Sequence, residues 1–327
     1  EKAAYVPIER FAPRDMVRNA LKAGLALEKS LGVNPFALGF IGSTDTHSAS
    51  PGGAEEDNYT GHLGRRDAGH RNVEDHLYSN AGGHAVVWAE ENSRDAIFAG
   101  LRRRETYATS GTRPIVRFFA GDGLDATLCE APDLVARAYA GGVPMGGEWT
   151  ARPDAAPRFL VHAMKDPGSP GHPGTDLQRV QIIKGWVDAE GATHERVVDV
   201  AGDAGNGASV DPETCRPTGA GAASLCTVWQ DPDFDPAQSA FYYVRVLENP
   251  TCRWSTLQCQ SAGVNPLSPE CKTQAARENE RAHAEGAAGD VYGKCCLQPQ
   301  EDPFYSAVIQ ERAWTSPIWY TASRTQN

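Results

Sequence analysis

The 327-residue chain contains no His-x-His pair, no Cys-x-x-Cys pair, no long basic run, no internal repeat and no apolar run longer than a few residues. Each absence removes a class of protein. A bilayer-crossing helix needs about 20 consecutive apolar residues, so a membrane span is excluded. With 42 acidic and 31 basic residues the net charge is -11, which argues against nucleic acid or an anionic membrane as the main partner. Without closely paired cysteines a structural zinc centre has no ligand spacing to use. Without His-x-His or a comparable pair beyond Asp45 and His47, the chain offers fewer than the three protein ligands a catalytic metal centre needs. Glu1 follows no initiator methionine, charged leader or apolar core, so any leader peptide is expected to have been removed or to lie upstream.

Eight cysteines are present, and five of them (Cys252, Cys259, Cys271, Cys295 and Cys296) fall within residues 252–296. That stretch is poor in aliphatic residues and cannot assemble a core of its own, so cross-links are expected to replace burial. Cys215 and Cys226 join the candidates, Cys129 stands apart, and the adjacent Cys295 and Cys296 are expected to bond different partners. Disulfides place the protein in an oxidising compartment, periplasmic or secreted.

The most informative segment is Phe40-Ile41-Gly42-Ser43-Thr44-Asp45-Thr46-His47. Alternate residues of an extended chain share a face, so Asp45 and His47 can present a carboxylate oxygen and an imidazole nitrogen to one divalent ion, with zinc, manganese and iron all suitable. Upstream, the spacing predicts a helix over 13–31, followed by a buried parallel strand at 37–41 whose carboxyl end carries the pair. Residues 48–84, rich in Gly, Asn, Asp, Glu and His, read as a long active-site loop. A helix capped by Asn92 is predicted to run to about Arg104. Its Arg102-Arg103-Arg104 end suits either the helix dipole or an anionic ligand. From Ile115 onward, short β-rich runs (115–119, 134–139, 159–164, 180–183, 241–247 and 314–320) indicate an antiparallel sandwich, while 201–224 and 273–289 read as surface insertions. The expected division is 1–113 and 114–327, about the size of two ordinary domains.

Several segments, among them Val33–Phe36, Gly42–His47, Glu55–Tyr59, Trp88–Ser93, Arg104–Arg113 and Ile309–Tyr320, make the sequence resemble a large bacterial family of unknown function, the 3604 family. That family is related to the polymerase and histidinol phosphatase (PHP) superfamily of metal-dependent hydrolases. The resemblance implies that residues 1–113 form the carboxyl-terminal part of a distorted (β/α) barrel, followed by the β-sandwich with its disulfide-rich insertion. It further implies two or three divalent ions that hydrolyse phosphate or related oxyanion esters, with Asp45 and His47 matching the last metal motif. The opening motif would lie upstream of Glu1 or on another polypeptide, so the chain corresponds to the carboxyl-terminal half of such an enzyme. An anionic small-molecule ester, phosphate or sulfate, is the expected substrate.

Glu55, Glu56 and Asp57 are candidate bases or rim acids, though acidic runs are commonly just solvated. His62 is the loop histidine placed best to approach a cleft. Arg113, with Thr106, Tyr107 and Ser110, forms a polar string whose role is structural or substrate-binding. The rival class is a non-catalytic binding or structural module, in which Trp186, Trp229, Trp254 or Trp319 stacks on a ligand instead of packing in the core. A degenerate hydrolase is the third possibility.

Overall fold

The computed structural model describes residues 16–44, 73, 77, 82–150, 156–298, 300–301 and 305–322. Helix α1 (Val17–Leu31) ends where Gly32 turns left-handed at φ 77° and returns its N–H to the Glu28 carbonyl. The inward face of α1 carries Leu21 and Leu25, while Val17, Leu27 and Leu31 face outward, so the apolar stripe is narrower than the sequence suggested. The second expected helix runs Arg94–Arg102 and is capped by Ser93, whose hydroxyl accepts the Ala96 N–H.

Sixteen strands occur among the described residues: β1 (His84–Val87), β2 (Thr106–Thr109), β3 (Ile115–Gly121), β4 (Val143–Pro144), β5 (Glu148–Trp149), β6 (Arg158–Met164), β7 (Leu177–Val187), β8 (Thr193–Gly202), β9 (Ser209–Val210), β10 (Pro217–Thr218), β11 (Ser224–Gln230), β12 (Ala240–Glu248), β13 (Thr251–Cys252), β14 (Val308–Ile309), β15 (Arg312–Thr315) and β16 (Ile318–Tyr320). An eight-stranded sheet is built on β12, with β15 and β16 along one edge and β7 then β8 along the other. It extends through β15 to β2 and β1, and through β16 to β5. Among the described residues only the β16–β5 pairing is parallel. A four-stranded antiparallel sheet, β11-β6-β3-β4, lies against it.

Alternation along the strands sends Val116, Phe118 and Ala120 of β3, with Phe159, Val161 and Ala163 of β6, into one core shared with Val180, Ile182, Tyr242, Val244 and Val246 of the large sheet. On the other side of that sheet, Leu21 and Leu25 of α1 pack on Ile183, Val187 and Phe241. Gly185 of β7 faces Phe241 of β12 across the ladder. A Cβ there would lie 2.2 Å from the Phe241 ring, so glycine is what lets the ring lie flat over the strand. Trp319 is buried, and Trp229 packs on Phe159 with ring centroids 5.8 Å apart.

The expected sandwich is therefore matched by two apposed antiparallel sheets, but several local expectations are corrected. Residues 37–41 form no strand, and Leu38 and Ile41 are 41% and 60% exposed. Their backbone is satisfied without a ladder: Arg104 donates to the Ala37 carbonyl at 2.7 Å, and the Phe40 N–H donates to the Ser316 hydroxyl at 2.8 Å. Residues 134–141 form a helix instead of a strand, burying Leu134 and Ala138 one turn apart. A short apolar run does not distinguish the two periods. The stretch from 273 is part of a helix, Cys271–Ala284, whose buried residues are Cys271, Ala275, Glu278 and Ala282. No closed barrel occurs among the described residues. β1 and β2 pair antiparallel and join the large sheet through β15, so that sheet draws strands from both sides of residue 113.

All eight cysteines are paired: Cys129–Cys226, Cys215–Cys252, Cys259–Cys295 and Cys271–Cys296. The neighbours Cys295 and Cys296 thus take different partners, as expected. No helix among the described residues is long and apolar enough to cross a membrane.

One charge pair lies inside the sandwich. Lys184 Nζ donates to Asp231 Oδ2 at 2.5 Å and to the Asp233 carbonyl at 2.9 Å, and the Tyr242 hydroxyl donates to the same Asp231 oxygen at 2.7 Å. Lys184→Met strands the Asp231 carboxylate and should cost about 3–5 kcal/mol, read as a lower denaturant midpoint at unchanged slope. Lys184→Met with Asp231→Leu should recover most of that loss. A single variant as stable as wild type would show the pair to be a spectator.

Candidate functional site

The segment that leads towards the Asp-x-His pair is held as far as Gly42. Phe40 packs edge-on against Tyr243, with centroids 5.7 Å apart. The Gly42 N–H donates to the His84 carbonyl at 3.2 Å. A Cβ on Gly42 would lie 2.8 Å from both the His84 and Thr109 carbonyl oxygens, so only glycine lets the chain pass this close over the end of β1 and β2. Asp45 and His47 come next, and with Glu55, Glu56, Asp57 and His62 they lie outside the described residues.

The segment borders a cavity of about 590 Å³ lined by Arg18, Phe40, Ile41, Ala108, Tyr243 and Trp314, with Glu195 at its side. That volume falls in the range of small-molecule sites. Arg18 is held by α1 so that Nε donates to the Tyr243 hydroxyl and Nη1 to Glu195, both at 2.9 Å, and Lys22 shares Glu195 at 2.8 Å. Burial pushes the Tyr243 hydroxyl above its ordinary range even though Arg18 opposes it, so it stays protonated. A wall of three aromatic side chains, Phe40, Tyr243 and Trp314, and the aliphatic Ile41, with its cation already paired, suits the organic part of a ligand better than an oxyanion.

Where β2 ends, two of the segments that carry the family resemblance converge. The Ser110 hydroxyl donates to Glu311 and accepts the Arg312 N–H at 2.8 Å. Arg113 donates to Asp166 Oδ2 from its backbone N–H at 2.7 Å and from Nε at 3.2 Å. Burial alone would raise the Asp166 carboxyl, but N–H bonds from Gly168 and Arg113 hold it below its usual value. Tyr107 donates to the Pro114 carbonyl, and the hydroxyls of Thr106 and Ser316 are hydrogen-bonded. Arg113 and its polar string are thus engaged with neighbouring protein groups. Beside them Glu248 is fully buried, and its carboxylate oxygens meet no partner in full hydrogen-bond geometry among the described residues, Thr112 being the hydroxyl that comes near them. Its carboxyl is pushed up to about 8 by burial, which Thr112 opposes and Glu311 and Asp166 reinforce.

Sequence reasoning missed Glu248, Asp166 and the cavity residues Arg18 and Tyr243. For Glu248 a signal existed: strand alternation puts it on the inward side with Val244 and Val246. Among the described residues no three His, Cys, Asp or Glu side chains are grouped to hold a metal ion.

These features define a disulfide-bonded protein of two apposed, largely antiparallel sheets with a cavity lined in part by Phe40 and Ile41. The chain belongs to the family described as "Protein of unknown function (DUF3604)", whose model matches residues 4–285. Comparison with curated proteins and with solved structures gave no match.

Proposed function

We propose that this protein serves a periplasmic or secreted metal-dependent hydrolase of phosphate or sulfate esters, with Asp45 and His47 among the ligands of a divalent ion. The observation that supports the reading is the cavity at residues 40 and 41: Phe40 and Ile41 line it, and Gly42, three positions before Asp45 in the sequence, is pinned over β1 and β2. The PHP-like character implied by the sequence supplies the chemistry: a bound divalent ion lowers the pKa of its water and neutralises charge on an ester's oxyanion. The chain's own contribution is positional. Phe40, Tyr243 and Trp314 would pack the organic group and exclude water, while the paired Arg18 keeps that wall in place.

Elemental analysis of the intact natural protein tests this. Two or more equivalents of zinc, manganese or iron are expected. Asp45→Ala should lower metal content and reduce ester turnover by more than about a hundredfold, since even groups behind a metal ligand cost about 10- to 100-fold. Far-ultraviolet circular dichroism should be unchanged. Metal content unaffected by Asp45→Ala would overturn the ligand assignment. The aromatic cavity also suits a non-catalytic binding module, which metal-free protein with retained ligand binding would favour.

A further inference from the structure

A second cavity, of about 570 Å³, opens at the opposite end of the β1–β2 pair, walled by Trp88, Arg103, Glu105, Arg117, Tyr139 and Pro144. His84 and Thr109 at one end of the pair border Gly42, whereas Val87 and Thr106 at the other lead directly to Trp88 and Glu105. Four strand residues, about 13 Å, separate the two places.

The polar groups of this cavity are held in fixed positions. Trp88 is anchored by its indole N–H, which donates to the Val116 carbonyl at 3.1 Å. The Arg117 guanidinium stacks on that indole, its carbon 3.3 Å from the ring centroid. Tyr139 is packed edge-on against Phe119 at 4.9 Å. Its hydroxyl donates to Glu105 and accepts from Arg117 Nη1 at 3.0 Å. Arg103 Nη2 completes the chain on the other oxygen of Glu105 at 3.3 Å. The buried Glu105 carboxylate is thus taken up by Arg103 and Tyr139. Burial and Glu105 push the Tyr139 hydroxyl up to about 12, so it remains a donor to that carboxylate across the physiological range.

Arg117 is the group left over. No carboxylate among the described residues lies within ion-pair distance of it. A guanidinium whose carbon sits this close over an indole keeps its N–H donors in its own plane, available to groups beside the ring. One of these donors is used by Tyr139. The rest form an edge of the geometry that binds a carboxylate, phosphate or sulfate bidentately. Arg103 stands on the same wall, about half exposed, and Glu90 at the rim is exposed to water.

We propose that this cavity is a binding site for the oxyanion group of a small molecule, with Arg117 as its bidentate anchor, Arg103 as a second cation, and Trp88 and Pro144 as the apolar wall. Of the three arginines that end the helix at Arg102, Arg103 then answers to the anionic-ligand reading. Arg104 instead ties the Ala37 carbonyl and Glu148. The site is independent of the metal reading.

The test is a titration of the protein with sodium sulfate, phosphate and acetate at constant ionic strength, with chloride as reference, followed by nuclear magnetic resonance of the Trp88 indole and Arg117 Nε protons. At least one oxyanion should give saturable shifts confined to these signals, and the anion saturating at the lowest concentration identifies the head group. Arg117→Gln should weaken binding roughly ten- to hundredfold, as expected for a lost charge-assisted hydrogen bond. Arg117→Lys keeps the charge and removes the fork, so it should retain the fold and bind more weakly than wild type. Shifts that do not saturate, or affinities unchanged in both variants, would overturn the proposal.

Discussion

Treatment of the native protein with a mild thiol reductant is expected to release backbone protection first in residues 252–296, while β7 and β12 keep theirs. The reason is the poverty of the core there. The cluster under this segment consists of Cys259, Cys271, Cys295, Cys296, Val264, Ala275 and Tyr305, joined by Val73 and Leu77. The helix Cys271–Ala284 buries two alanines, a glutamate and a cysteine, so little apolar area holds it once the sulfurs part. The bonds Cys259–Cys295 and Cys271–Cys296 close loops spanning 36 and 25 residues. Loop-closure entropy values each at about 3–4 kcal/mol, with less than the sum for the pair because the loops overlap. Reduction therefore removes more than this small cluster can replace, whereas the sheet core depends on none of these cysteines. Cys129–Cys226 spans 97 residues and ties the turn at Ala126–Glu130 to β11. Its loss should lower global stability instead of opening one segment. Hydrogen exchange read by mass spectrometry separates the two effects. Simultaneous loss of protection in β12 and in residues 252–296 would refute the local account, and eight free thiols in the native protein would refute the bonds themselves.

The parts of this fold that were legible in the sequence are those where a single period dominates. The alternation of Tyr243-Val244-Arg245-Val246 and the β-branched run around Ile182 announced β12 and β7, and Gly32 announced the end of α1. The cysteines were legible as disulfides because the segment around them offers nothing else to bury. What failed were short apolar runs. Leu134–Tyr139 satisfies both a strand and a helix pattern, and the choice is made by packing of Leu134 and Ala138 against Leu124 and Leu128. Residues 37–41 look like a buried strand, yet their backbone is satisfied by Arg104 and Ser316, partners 67 and 276 residues away in the chain. β8 and β11 were missed because both are largely exposed or half-exposed, with Glu195, Arg196 and Asp199 interrupting the apolar pattern of β8. For the site, the cavity is assembled from α1, β2, β8, β12 and β15 and has no local signature, while the Asp-x-His pair lies outside the described residues. Glu248 carried the alternation signal with Val244 and Val246, but it was outweighed because an acid at a strand's end is ordinarily solvated.

Glu248→Gln is expected to stabilise the protein increasingly as pH rises. In the folded state the carboxyl keeps its proton up to about 8, because burial strips the anion of water and Glu311 and Asp166 add repulsion. In the unfolded chain the same group ionises near its ordinary value of about 4.3. Between those values the folded state holds one more proton than the unfolded state, so stability falls with rising pH, by about 1.4 kcal/mol per pH unit. Across the window this amounts to on the order of 4–5 kcal/mol, fully incurred above about pH 8 and absent below about pH 4. Glutamine has the shape of the protonated acid and no proton to lose. The variant should therefore match wild type at acid pH and exceed it by roughly 4 kcal/mol in mild alkali, measured as the difference in urea-unfolding free energy. A residual slope should remain from Glu311, which burial also raises. Asp166 is held below its usual value, so its contribution is lost only in acid, outside this window. Parallel stability profiles for wild type and Glu248→Gln would show that Glu248 finds a compensating partner in solution.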